Sequence, residues 1–134
     1  MAAAERDTVL VVEDDPAVRD LLVSLLRDEG YHVEQAHHGA DALRLLEQHR
    51  ASPGPLCLVL LDMMMPQLDG LALLQRLADQ NSYVPIVAMS ASTEHLRAAA
   101  AAGAHATLSK PFDIERLLAV VARNCAAKAR SKEP

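Results

Sequence analysis

Residues Thr8–Val12 form an unbroken run of apolar or β-branched positions that stops at the acidic cluster Glu13-Asp14-Asp15. A run without polar alternation is the pattern of a strand covered on both faces, here ending at a loop. Asp15 followed by Pro16 makes an N-cap and first-turn pair. A helix is therefore predicted to continue to about Glu29 and stop at Gly30, with Val18, Leu21, Leu22 and Leu25 as its apolar face. A short strand at about His32 to Ala36 comes next, then a helix near Ala40 to His49 that uses Leu43 and Leu46, then the loop 50–55 with Pro53, Gly54 and Pro55. Leu56 to Leu61 repeats the first pattern, an apolar strand that also ends at an acid, Asp62. Beyond it the chain predicts a helix at about Gly70 to Asp79, a strand Ile86 to Met89 and a helix at about Thr93 to Ala102. A short strand near Ala106 to Leu108 and a last helix at about Ile114 to Ala129 complete the pattern. Strand and helix alternate five times. Such alternation implies right-handed crossovers and a parallel sheet covered by helices on both faces, the doubly wound α/β class.

A chain of 134 residues with 51% hydrophobic positions supports one core and needs no disulfide or metal staple. Cys57 and Cys125 stand in apolar surroundings with no short-range partner, and both are expected as buried free thiols. The net charge of −5 argues against binding to nucleic-acid phosphates. The longest apolar stretches, such as Leu56 to Leu61, are far too short to cross a bilayer, and Met1 to Asp7 has no hydrophobic segment of a signal peptide. A cytoplasmic protein without membrane contact is expected. The six histidines show no helical metal-ligand spacing, and 2% aromatic residues leave no stacking platform for bases.

In open α/β sheets the ligand site lies beyond the carboxyl ends of the strands. The residues leaving those ends are Glu13, Asp14, Asp62, Ser90 and Lys110. Carboxylates about 5 Å apart repel by roughly 3 kcal/mol at an effective dielectric near 20, so a cation must hold them. With no thiolate or imidazole in the pattern, a hard divalent cation, Mg²⁺, fits best. Carboxylates, a hard cation, a lysine and a hydroxyl also form the equipment for phosphoryl transfer. Asp62 ends the central strand and is favoured as the nucleophile that would form an acyl phosphate. Blander readings stand beside these: Asp62 as an ordinary loop residue, Lys110 as a solvated charge, Ser90 as a cap and Glu13 as a solvated acid. Met63, Met64 and Met65 read as packing side chains rather than a copper site.

These residues resemble the receiver domain of two-component response regulators. The matching pieces are Val11-Val12-Glu13-Asp14-Asp15-Pro16, Leu61-Asp62-Met63-Met64-Met65-Pro66 with Asp69-Gly70 after it, Ser90-Ala91, and Lys110-Pro111-Phe112. Each motif is weak alone, but four in order at successive strand ends are specific, and the resemblance covers about residues 8 to 126. It implies a flavodoxin-like five-stranded parallel sheet of order 2-1-3-4-5, the order for which this family is a standing example. It further implies that Asp62 accepts a phosphoryl group from a histidine kinase or phosphotransfer protein. Mg²⁺ would be held by Asp14 directly, by Glu13 largely through water, by Asp62 and by the backbone carbonyl of Met64. Ser90 and Lys110 would contact phosphoryl oxygens, Lys110-Pro111 would be cis, and Asp15 would mainly cap its helix. Residues 1–7 then form an N-terminal extension and 127–134 a charged tail. The chain would be a switch that promotes its own phosphorylation and slow dephosphorylation, acting on a downstream protein or output domain as a monomer or weak phosphorylation-dependent dimer.

The chain departs from that family at Thr107, where receivers usually carry Tyr or Phe three residues before the lysine. A small β-branched residue supports no aromatic rotamer switch, so activation is expected to pass through the Ser90 loop and the helix after it. In that helix Leu96 is the one large apolar side chain, and Ala98 to Ala102 give helix propensity with little burial, which predicts a well-formed but lightly anchored element. Met64 and Ser92 would flank an attacking water, and Met64 cannot orient it by hydrogen bonding. Two other functions use related chemistry. A flavin phosphate would be repelled by Glu13-Asp14-Asp15, and a phosphatase with an aspartyl nucleophile would want an acid at the position of Met64.

Overall fold

The computed structural model describes residues 7–51, 56–65, 68–79 and 84–132. Strands β1 (Thr8–Val12), β2 (His32–Ala36), β3 (Leu56–Asp62), β6 (Ile86–Ser90) and β7 (Ala106–Ser109) build the main sheet. Helices α1 (Pro16–Asp28), α2 (Gly39–Ala51), α3 (Gly70–Asp79), α4 (Thr93–Ala101) and α5 (Ile114–Lys132) connect and follow them. All pairings in this sheet are parallel, in the order β2-β1-β3-β6-β7. Counted along the main sheet alone that is 2-1-3-4-5, the flavodoxin-like order expected. Pro66 and the loop 52–55 lie outside the described residues.

β1 and β3 are buried at every position, as strands with helices on both faces must be. Their side chains divide between two apolar layers. Val9, Val11, Leu58 and Leu60 pack with Leu22 and Leu26 of α1 and Leu117 and Val121 of α5. Leu10, Val12, Val59 and Leu61 pack with Leu46 of α2, Leu73 and Leu74 of α3 and Ala99 of α4. Each fully buried Leu or Val contributes roughly 1.5–3 kcal/mol relative to exposure, so the central strands anchor both layers.

The Asp15 carboxylate accepts from the N–H groups of Ala17 at 2.9 Å and Val18 at 3.4 Å, capping α1 as expected. Gly30, at φ 98°, lets the chain leave the helix in a left-handed turn. The expected apolar face of α1 is corrected by part of a turn: Leu22, Val23 and Leu26 are buried, Val18 and Leu25 pack at the edge, and Leu21 is 48% exposed. Six large apolar residues crowd this helix, so periodicity alone leaves its inward direction ambiguous. In α4 the anchor is Ala99, fully buried, whereas Leu96 is only partly so. A two-stranded antiparallel ribbon, β4 (Met64–Met65) with β5 (Leu68–Asp69), follows β3. Two-residue strands carry no periodic signal, so the sequence pattern does not predict them.

The expectation of two free thiols is overturned, because Cys57 and Cys125 form a disulfide with Cα atoms 4.9 Å apart. Strict alternation from Val59 and Leu61 would turn residue 57 toward α2 and α3. The β1–β3 register instead skips it, pairing Thr8 with Leu56 and Val9 with Leu58. This bulge turns Cys57 into the layer that holds α5. The bridge spans 68 residues of sequence, a closure worth about 4 kcal/mol in the chain-entropy account. Denatured, unreduced protein should therefore show no titratable thiol, and reduction should lower the unfolding free energy by about that amount in a denaturant titration. Two reactive thiols, or an unmoved midpoint on reduction, would contradict the pairing.

Candidate functional site

The acids that end β1 and β3 meet. Glu13, Asp14 and Asp62 each offer a carboxylate oxygen, and these atoms lie within 4.8 Å of one another. Glu13 is 1% and Asp62 3% exposed, while Asp14 is partly exposed. Backbone bonds fix the positions: the Glu13 N–H donates to the Ala36 carbonyl at 3.1 Å, and the Met63 N–H to the Met89 carbonyl at 2.9 Å. The first continues the β1–β2 ladder and the second the β3–β6 ladder beyond their last pairs.

Lys110, just past β7, brings the cation. Its Nζ lies 2.9 Å from Glu13 Oε1 and 3.5 Å from Asp62 Oδ1. The Lys110 N–H donates to the Ser90 carbonyl at 2.9 Å, and the Lys110-Pro111 peptide is cis, as the resemblance implied. Burial pushes the Glu13 carboxyl up, assisted by its hydrogen bond and repulsion with Asp62, and Lys110 only partly opposes this. For Lys110, burial works downward, but the bond to Glu13 and the field of Asp62 and Glu13 raise the ammonium overall. The pair is an ion pair whose acid remains electrostatically crowded.

Ser90 ends β6 and is 1% exposed; its Oγ accepts from the Ser92 N–H at 3.0 Å. The cap of α4 is Ser92, whose Oγ accepts from the His95 N–H at 3.3 Å. Asp62 Oδ1 accepts from the Met64 N–H at 3.0 Å, and the Met64 side chain is 57% exposed. The structure thus gathers Glu13, Asp14, Asp62 and Lys110 into one cluster, with Ser90 joined to it through the main chain. Thr107, within β7, and Leu96, within α4, are both partly buried and are not members of this cluster.

Two contributors escaped the sequence reading. Gly70 begins α3 against the main chain of Met63; a Cβ there would stand 2.6 Å from Met63 Cα and 2.9 Å from its carbonyl oxygen. Asp69-Gly70 belongs to the motifs that carry the resemblance, but nothing local in sequence shows that approach. Arg19 folds back from α1, and its Nη1 donates to the main-chain carbonyls of Glu13 at 2.8 Å and Asp14 at 3.4 Å.

Carboxylate oxygens of three residues, two of them beside the Lys110 ammonium, form a hard, oxygen-only donor set with surplus negative charge. That set fits a hard divalent cation such as Mg²⁺. Among the described residues no helix is long and apolar enough to cross a membrane.

The family described as response regulator receiver domain matches residues 9–122. The response regulator MprA of Mycobacterium ulcerans is 44% identical over 113 residues, covering 83% of this chain and 47% of that protein. The chain spans about half the length of the curated relatives it matches. The receiver domain of the Francisella response regulator 1452 superimposes with a TM-score of 0.79 at 31% identity, covering 93% of this chain and 98% of that one. A two-component system response regulator/GGDEF domain protein superimposes with a TM-score of 0.85 at 32% identity, over 93% of this chain and 51% of that one.

Two outcomes test the site's construction. Lys110→Met leaves Glu13 and Asp62 buried without their cation, which should cost about 2–3 kcal/mol after allowing for the lysine's partial exposure. Glu13 already binds its proton more tightly when folded, and more so without Lys110. Folded protein then holds the extra proton between the ordinary and raised values, so stability falls as pH rises through that window. The variant should lose more at pH 8 than at pH 5 in EDTA-containing denaturant titrations; an equal loss would contradict the pairing. Gly70→Ala should cost about 1–3 kcal/mol through overpacking on Met63, and wild-type stability for it would remove the close approach.

Proposed function

Since the chain belongs to the response regulator receiver domain family, we propose that it accepts a phosphoryl group on Asp62 from the phosphohistidine of a histidine kinase or phosphotransfer protein. The observation that carries this reading is the convergence of the Glu13, Asp14 and Asp62 oxygens within 4.8 Å, with the Lys110 ammonium 3.5 Å from Asp62.

In the proposed reaction an Asp62 carboxylate oxygen forms a bond to phosphorus while the bond from phosphorus to the donor's imidazole nitrogen breaks. The electron pair of that bond leaves with the imidazole. Mg²⁺, when bound by Asp14, Asp62, the Met64 carbonyl and, through water, Glu13, supplies charge neutralisation for the transferring group. Burial of Glu13 and its pairing with Lys110 agree with the more exposed Asp14 being the direct ligand. Lys110 is near enough to Asp62 to follow a phosphoryl oxygen, and the Ser90 hydroxyl stands at the end of the adjacent strand. The aspartyl phosphate brings a charge of about −2 at neutral pH. Ser90, Ser92 and α4 are proposed to relay it, because Thr107 offers no aromatic ring and α4 is held by the small side chain of Ala99.

The receiver unit is proposed to span 8–126, with an extension at 1–7 and a tail at 127–134. Its partners are a kinase or phosphotransfer protein and a downstream protein or output domain, in the cytoplasm, without nucleic-acid contact by this segment. The exposed Met64 side chain offers neither the second acid of an aspartyl phosphatase nor a group to orient water, which supports slow loss of the phosphoryl group.

Intact mass after incubation with acetyl phosphate and Mg²⁺ tests the reading. Wild type should gain one phosphoryl group, and Asp62→Ala or EDTA should abolish it. An adduct that survives in Asp62→Ala would overturn the assignment.

A further inference from the structure

Arg19 sits on the first turns of α1, its own N–H donating to the Asp15 carbonyl at 2.9 Å. Its guanidinium turns back over that helix end and gives Nη1 to the carbonyls of Glu13 and Asp14. This placement is unfavourable by itself. A cation at a helix N-terminus faces the positive end of the macrodipole, and the Arg19 Nε is buried with no hydrogen-bond partner. What offsets it is local: two carbonyls beyond the last β1 pairs, and the field of three carboxylates.

The choice of acceptor matters. Lys110 takes a carboxylate oxygen of Glu13, which removes one candidate ligand atom. Arg19 binds main-chain oxygens and leaves the carboxylates available. Two bonds from one nitrogen restrain the backbone of residues 13 and 14, and with it the direction in which the Asp14 carboxylate leaves the chain. Asp14 is the least buried of the three acids, so its orientation depends most on its backbone. Outer groups that orient ligands in this way commonly change metal affinity by factors of ten to a hundred.

We infer that Arg19 is a positioning residue for the cation site: its guanidinium clamps the Glu13-Asp14 carbonyls so that the Asp14 carboxylate faces Asp62. The inference rests on the proposed Mg²⁺ site. It predicts a defect in cation affinity with the phosphoacceptor left intact. A lysine would keep the charge, but as a compact ammonium on a flexible stem it lacks the planar, preorganised guanidinium that holds one nitrogen against both carbonyls.

The test is Mg²⁺ titration calorimetry at 25 °C on wild type, Arg19→Met, Arg19→Lys and Asp14→Asn, with melting temperatures measured in EDTA. Arg19→Met should bind Mg²⁺ roughly tenfold more weakly, with Arg19→Lys nearer to it than to wild type. In acetyl phosphate labelling, the Mg²⁺ dependence should move by the same factor and reach the wild-type plateau. A lowered melting temperature with Mg²⁺ affinity within twofold of wild type would reduce Arg19 to a stability role and overturn the inference. Full wild-type affinity in Arg19→Lys would overturn it as well, since charge alone would then suffice. If Arg19→Met does not fold, Arg19→Lys decides between these outcomes. Wild type that binds no Mg²⁺ overturns the site reading and this inference together, whereas binding by wild type and Arg19→Met alike overturns this inference alone.

Discussion

Mutual repulsion of three carboxylates at the end of an apolar sheet is the constraint around which this molecule is arranged. Val9 to Val12 of β1 and Leu56 to Leu61 of β3 supply a buried floor of apolar side chains, and the acids sit where that floor stops. Low polarizability beneath them strengthens every charge interaction above. Counter-charge has to be imported: Lys110 comes from the far side of β6, at the end of β7, and Arg19 comes from the first helix. A hard divalent cation would complete the neutralisation, and such a cation also suits the proposed phosphoryl chemistry. Electrostatic crowding and function are here one property of the same atoms.

Much of the fold was legible because its strongest signals are one-dimensional. A fully covered parallel strand reads as an unbroken apolar run, and Thr8–Val12 and Leu56–Leu61 could be nothing else of that length once helices alternated with them. The site was legible for a related reason, since Glu13 and Asp62 stop such runs, and Asp14, Ser90 and Lys110 likewise stand at or just beyond strand ends. Asp15 and Gly30 marked the ends of α1 through backbone chemistry that does not depend on tertiary context.

What escaped depends on three-dimensional direction. Leu21 and Leu22 differ by about 100° around a helix axis, and only packing against β1 and β3 decides which one is buried. The bulge at Cys57 reverses the side on which a residue emerges, so alternation pointed away from Cys125. Ala99 anchors α4 by packing into the layer that holds Ile86 and Ala88, a placement the sequence does not encode. Nothing in the sequence marks Arg19, because its acceptors are main-chain carbonyls, which any residue has. The resemblance to receivers implied the strand order and the proposed roles of the strand-end residues, while these four features follow from three-dimensional packing.

The Cys57–Cys125 bridge also gives the molecule a covalent topology that its strand order hides. Residues 57 to 125 form a closed ring that contains Asp62, Gly70, Ser90 and Lys110, while Glu13, Asp14 and Arg19 lie on the open arm that precedes it. The site is therefore assembled across the boundary between ring and arm, held by the β1–β3 ladder and the Glu13–Lys110 ion pair. A backbone cut inside the ring leaves both halves tethered in one molecule; a cut in the arm releases the segment that carries two of the three acids with nothing but non-covalent contacts to retain it.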